Sequence, residues 1–152
     1  MKSLVDTSLL VYRFDPRDPA KQRLAAALLR EGVGELVVPH QALIEFFAAV
    51  TRPLADLGGQ SLMTRKAAVE RVERLQSQYP VVWPDAAVLA SALHGAVVYG
   101  LSWYDAHLWA YAQANGIPEI LSEDFDHGRH YGRVRVVNPF LDAVNELPQL
   151  FG

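Results

Sequence analysis

Residues 101–128 read LSWYDAHLWAYAQANGIPEILSEDFDHG, and their order decides the fold. Ser102 opens a helical segment that is apolar nearly all round, and Gly116 supplies the left-handed residue that ends it. Pro118 to Leu121 then reads as a short buried strand. Directly after it, Glu123, Asp124 and Asp126 put three carboxylates into four positions. A helix feeding a strand whose carboxyl end carries acids is one unit of an open α/β sheet, and that end of the strands is where such sheets place their chemistry.

Outward from this stretch the same unit recurs. Lys2 to Val5 is a strand that passes through Asp6-Thr7-Ser8 into a helix from Leu9 to Phe14. Asp18-Pro19 is an N-cap and first-turn pair for a helix to about Arg30. Glu35 to Val38 is a second strand, and His40 to Arg52 a helix stopped by Pro53. The segment Leu54 to Met63, with Gly58-Gly59, is loop-like, and Thr64 to Tyr79 is a surface helix. Val81-Val82-Trp83 is a third strand, followed by a helix from Pro84 to about Tyr99. After the fourth strand, Val134 to Val137 makes a fifth, before a last helix from about Pro139 to Glu146. Strands rich in Val, Ile and Leu without polar alternation indicate a parallel sheet covered on both faces. The expectation is a doubly wound α/β sandwich, a central parallel sheet of about five strands with helices on both sides, forming one domain over residues 1–152.

Composition narrows the function. The 152 residues are 51% hydrophobic, enough for one real core. With no cysteine there is no disulfide framework, thiolate zinc site or cysteine nucleophile. The N-terminus lacks the apolar core of a signal peptide, and no apolar run reaches the roughly 18 residues of a membrane span. A cytoplasmic protein without membrane contact is expected. A formal charge of −3 argues against a basic coat for nucleic acid, while a local basic groove remains open.

Four acids sit where acids are expensive. Asp6 closes the first strand, where its plain reading is a helix N-cap. Glu45 lies in HQALIEFFAAVTR with no Lys or Arg at helical spacing, and an unpaired buried carboxylate costs several kcal/mol. Asp105 completes a Ser-x-x-Asp capping box with Ser102 and also points toward the sheet edge. Asp124 follows the fourth strand, where an Asx-turn would account for it. In a doubly wound sheet all four elements can open onto one rim. Carboxylates gathered there repel one another unless a cation offsets them. An all-oxygen donor set favours Mg²⁺ or Mn²⁺ over zinc.

In MKSLVDTSLLVY, PHQALIEFFAAVTRP and LSWYDAHLWAYAQANGIPEILSEDFDHG, over nearly its whole length, the chain resembles PIN-domain ribonucleases, in particular the VapC-type toxins of toxin–antitoxin pairs. The resemblance implies a PIN-like fold and a catalytic set of Asp6, Glu45, Asp105 and Asp124, which follow one another at intervals of 39, 60 and 19 positions. It implies Mg²⁺ or Mn²⁺ bound by Asp6, Asp105 and Asp124, with Glu45 direct or through water and Asp126 able to substitute for or assist Asp124. Thr7, Ser8 and Ser122 match positions where the family keeps a hydroxyl near the site. The implied activity is endonucleolytic hydrolysis of RNA, tRNA or another structured RNA included. The implied partners are a cognate antitoxin and a second copy in a homodimer.

The alternative within the fold is a PIN-like module that binds RNA or protein without cutting, against which the complete acidic set weighs. A haloacid-dehalogenase-like phosphatase needs a second acid two places after Asp6 and finds Ser8. A receiver domain is a poor match at Trp83-Pro84-Asp85. Arg129, His130, Arg133, Arg135, Lys66, Arg71 and Arg74 are the candidates for holding RNA. His127 and His130 form an H-x-x-H in a glycine-containing loop, a poor zinc site. Trp103, Trp109 and Tyr111 are candidates for base stacking, with core packing the commoner use of such residues. Leu54, Leu57, Leu62 and Met63 make the loop before Thr64 apolar enough to suggest an interaction surface.

Overall fold

Val, Leu and Ile fill the short strands, and each strand sends alternate residues to opposite faces of one sheet. The computed structural model describes residues 1–141. Six strands are present there: β1 (Ser3–Val5), β2 (Leu36–Pro39), β3 (Val81–Val82), β4 (Glu119–Leu121), β5 (His130–Tyr131) and β6 (Val134–Val137). Their order is β3-β2-β1-β4-β6-β5. Every pairing is parallel except β5 with β6. The helices are α1 (Thr7–Tyr12), α2 (Pro19–Glu31), α3 (His40–Thr51), α4 (Arg65–Gln78), α5 (Ala86–Val98) and α6 (Trp103–Ala114).

The sheet divides the core in two. Val5, Val38, Leu121 and Val137 face α1 to α4, against Leu9, Leu28, Phe46 and Leu75. Their neighbours Leu4, Val37, Ile120 and Val136 face α5 and α6, against Val88, Leu108 and Trp109. Trp109 is 2% exposed and donates its indole N–H to the Tyr131 carbonyl at 2.8 Å. Gly95 lets α5 approach it, since a Cβ there would lie 2.6 Å from the Trp109 ring. Removing that ring would cost about 3–5 kcal/mol.

The expected helices and strands are present with small shifts at their ends. Helix α1 begins directly at Thr7, and α5 begins after Asp85, whose carboxylate accepts from the Val88 N–H at 2.9 Å. The sheet gains the two-residue antiparallel β5, which carries no apolar run to announce it. The loop after α3 contains a single 3-10 turn, Ala55–Leu57, and Leu62 and Met63 pack against the core rather than standing out as a surface. Of the expected last helix, Pro139 to Leu141 form a turn and the remainder lies outside the described residues. Among the described residues no helix is long and apolar enough to cross a membrane.

Candidate active site

From β1 the chain moves outward to β2 and β3, whereas β4 leads the other way to β6. The connections leaving β1 and β4 therefore diverge, and a crevice opens at their carboxyl ends. Asp6 leaves β1 there and Ser122 to Asp124 leave β4. The two exits are tied together, with the Asp6 N–H donating to the Leu121 carbonyl at 3.1 Å. The Ser122 hydroxyl donates to Asp6 Oδ2 at 2.5 Å and accepts from the Asp124 N–H at 3.0 Å.

Asp6 occupies the N-cap position of α1, but its side chain makes no capping bond. It is 6% exposed. Burial pushes its carboxyl up, and the Asp124 carboxylate pushes further by its charge and by accepting the proton. Bonds from Ser122 and the Thr7 N–H offset only part of this, and the pKa rises to about 7. Asp105 is also raised, chiefly by burial, against the opposing Ser102 hydroxyl, with the charges of Asp124 and Glu45 adding to the rise. Ser102 caps α6 as expected, accepting from the Asp105 N–H at 3.2 Å.

Glu45 has both oxygens fixed. Thr7 Oγ1 donates to Oε2 at 2.7 Å, and Gln41 Nε2, one turn earlier on α3, donates to Oε1 at 2.8 Å. The four expected acids thus come from four elements to one patch, linked in the order Asp6, Asp124, Asp105, Glu45. Among the described residues none of the four has a Lys, Arg or His ion-pair partner.

Other expectations fall elsewhere. Glu123 belongs to a structural lock, paired with Lys21 at 2.7 Å and accepting from the Tyr12 hydroxyl. Asp126 pairs with Arg129 at 3.1 Å, and the shifts at Asp6 and Asp105 do not trace to it. Ser8 Oγ is buried without a hydrogen-bond partner, so it bonds to none of the acids. His127 accepts from the Asn138 N–H through Nδ1 at 3.0 Å, a turn-stabilising bond. Trp109 and Tyr111 are core, whereas Trp103 is 44% exposed. Gln41 was not anticipated; its place one turn before Glu45 was the available signal.

The donor set is carboxylate oxygen throughout and suits a hard divalent ion. Among the described residues no three such side chains are drawn closely enough round one point to hold an ion as they stand. The carboxyl of Asp6 is raised instead, by burial first and then by the neighbouring Asp124 carboxylate, the response of a buried acid that lacks a counter-charge.

Comparison with known families matches the PIN domain over residues 3–133. No curated protein matches in sequence. Among solved structures, VapC20 of Mycobacterium tuberculosis, a sarcin–ricin-loop-cleaving toxin, is 21% identical with a TM-score of 0.64, over 88% of this chain and 99% of that one. A toxin–antitoxin complex from Klebsiella pneumoniae is 16% identical with a TM-score of 0.66, over 91% and 98%. DNA-bound VapBC from Salmonella typhimurium is 13% identical with a TM-score of 0.63, over 90% and 96%. At these identities the likeness is one of fold.

Proposed function

The chain belongs to the PIN domain family, and from that premise we propose that it is a Mg²⁺- or Mn²⁺-dependent endoribonuclease, the toxin of a toxin–antitoxin pair. One observation carries the reading. Asp6, Glu45, Asp105 and Asp124 gather at the crevice between β1 and β4, held by the hydroxyls of Ser122 and Thr7 and the amide of Gln41, with no cationic partner among the described residues. Such a patch is poorly suited to stabilising a fold and well suited to receiving a cation.

Asp6, Asp105 and Asp124 would hold the ion, with Glu45 beside them. When bound, a hard divalent ion activates a water and offsets the charge that develops on a phosphodiester. The chain's own residues set the geometry. Ser122 orients Asp6, and Thr7 and Gln41 together fix the plane of the Glu45 carboxylate. Those neutral donors hold the acids in place without cancelling their charge. Similarity to VapC20 supports RNA as the substrate class, and similarity to the Klebsiella and Salmonella assemblies supports an antitoxin partner. A homodimer completes the proposed assembly.

The test is cleavage of single-stranded and structured RNA by the purified chain with Mg²⁺ or Mn²⁺, then with EDTA. Cleavage that stops on chelation is expected; cleavage that survives it would overturn the metal-dependent reading.

A further inference from the structure

A patch of uncompensated acids on a chain of charge −3 repels the phosphates it is proposed to cut. Net charge does not draw RNA there, and the surface beside the acids is aromatic. Tyr104 and Trp103, in the first turn of α6 immediately before Asp105, are 71% and 44% exposed. Trp83, just past β3, is 53% exposed, and its ring centroid lies 5.1 Å from that of His40. A concavity of about 380 Å³ is walled by Gln41, Glu45, Pro84, Trp103, Tyr104 and His107. A second, of about 450 Å³, shares His40 and Ile44 with it and includes Trp83. That second concavity is walled largely by Leu43, Phe47, Val69 and Val72, so the polar lining belongs to the first, at the Glu45 carboxylate.

We propose that Tyr104 and Trp103 stack on unpaired bases beside the phosphodiester to be cut. This rests on the nuclease reading. The platform is set in advance. Trp103 stands edge-on to His107, with centroids 4.3 Å apart and planes at 87°, and His107 Nδ1 lies 3.1 Å from the Trp103 carbonyl. The Tyr104 carbonyl accepts from Gln41 Nε2 at 3.2 Å, the same amide that holds Glu45. One brace therefore positions both a stacking residue and a catalytic acid. Bases fit the concavity beside Glu45 better than an apolar protein segment does, because Gln41, Glu45 and the imidazoles of His40 and His107 line it alongside the rings. Stacking binds any base by its face and does not depend on net charge. Paired bases, already stacked in a duplex, cannot reach these rings, so the platform selects unpaired RNA.

The experiment uses Asp6→Asn protein, which leaves RNA intact, and follows tryptophan fluorescence. The probes are oligoadenylate and an abasic ribose-phosphate oligomer of the same length and charge. Oligoadenylate is expected to bind with quenching, and the abasic oligomer, which loses every stacked base, to bind more weakly by at least about 5- to 150-fold, the range for one stacked base. Trp103→Ala and Tyr104→Ala should each lose about 5- to 150-fold for oligoadenylate, less than the abasic oligomer loses, and Trp103→Phe and Tyr104→Phe should regain most of it. In the otherwise native chain the Ala variants should raise KM with kcat little changed. Equal affinity for the two oligomers would overturn the proposal. So would RNA cleavage with unchanged KM in both Ala variants, or Ala variants that alter only self-association in light scattering. A chain that cuts no RNA yet binds oligoadenylate in this base-dependent way would refute the nuclease reading and leave the platform standing.

Discussion

Asp6 and Asp15 flank the same short helix and are almost equally hidden, 6% and 5% exposed, yet their carboxyls move in opposite directions. Asp15 accepts from Arg17 through Nε at 2.9 Å and Nη2 at 2.8 Å, and the guanidinium holds it below the usual carboxylate range. Asp6 has a serine where Asp15 has an arginine; desolvation by burial, with the Asp124 carboxylate beside it, outweighs the lowering bond from Ser122 and lifts it to about 7. Low surface exposure by itself therefore does not distinguish a structural acid from a functional one. The identity of the partner does, because a neutral donor fixes a carboxylate while leaving its charge for a ligand.

The largest expected effect follows directly. Asp6→Asn should lower RNA cleavage by about a thousandfold or more, since it removes a ligand from the cation site. Without added metal it should raise thermal stability, because it relieves a desolvated charge beside Asp124. Asp15→Asn should do the reverse, lowering the unfolding temperature by a few degrees with cleavage nearly unchanged. If both variants unfold alike, the contrast between the two aspartates is not functional.

A pH series sharpens the same contrast. Between about 4 and 7 the unfolded chain carries Asp6 ionised while the folded chain keeps it protonated. The folded state then binds more protons, and stability falls as pH rises through this window. Asp15, shifted downward, contributes stability that is already complete above its unfolded value and is lost only in stronger acid. In EDTA the unfolding temperature attributable to Asp6 should therefore drop from pH 5 to pH 8. Asp6→Asn should flatten that slope, and Mg²⁺ should restore stability at pH 8. A slope unchanged by Asp6→Asn would assign it to other groups.

The stretch after β4 repeats the comparison within four residues. Asp124→Asn should reduce cleavage by about a hundredfold or more. Asp126→Asn should change it less than about threefold, because Asp126 is an exposed partner of Arg129. Glu123→Gln should affect stability more than cleavage, through the lost pairing with Lys21. A larger loss at Asp126 than at Asp124 would reassign the ligand.

These divisions also mark how far the sequence could be read. The positions and order of the four acids were legible, because carboxylates in apolar segments stand out against the pattern around them. The partners that sort Glu123 from Asp124 were not, since Lys21 lies 102 positions away and only the fold brings it near. Helix α6 is apolar on nearly every face, so periodicity could not separate buried Trp109 and Tyr111 from exposed Trp103 and Tyr104. The sheet was legible apart from β5, whose two residues exist as a strand only because Val134 and Arg135 lie opposite them.

The smallest effect tests the hydroxyls. Ser122→Ala removes the donor that holds down the pKa of Asp6 and supports the Asp124 backbone, so it should raise that pKa further. It should reduce cleavage about tenfold, most visibly at low pH where Asp6 is protonated. Ser8 sits one position after Thr7 on α1, but its Oγ is buried and unpartnered, so the folded state forgoes a hydrogen bond that water supplies to the unfolded chain. Ser8→Ala should leave cleavage unchanged and stabilise the fold by up to about 1 kcal/mol, also gaining helix propensity. The readouts are thermal unfolding and a pH–rate profile for each variant. A loss of cleavage at Ser8 with no change in stability would place its hydroxyl in contact with the substrate and give α1 two functional hydroxyls, Thr7 and Ser8.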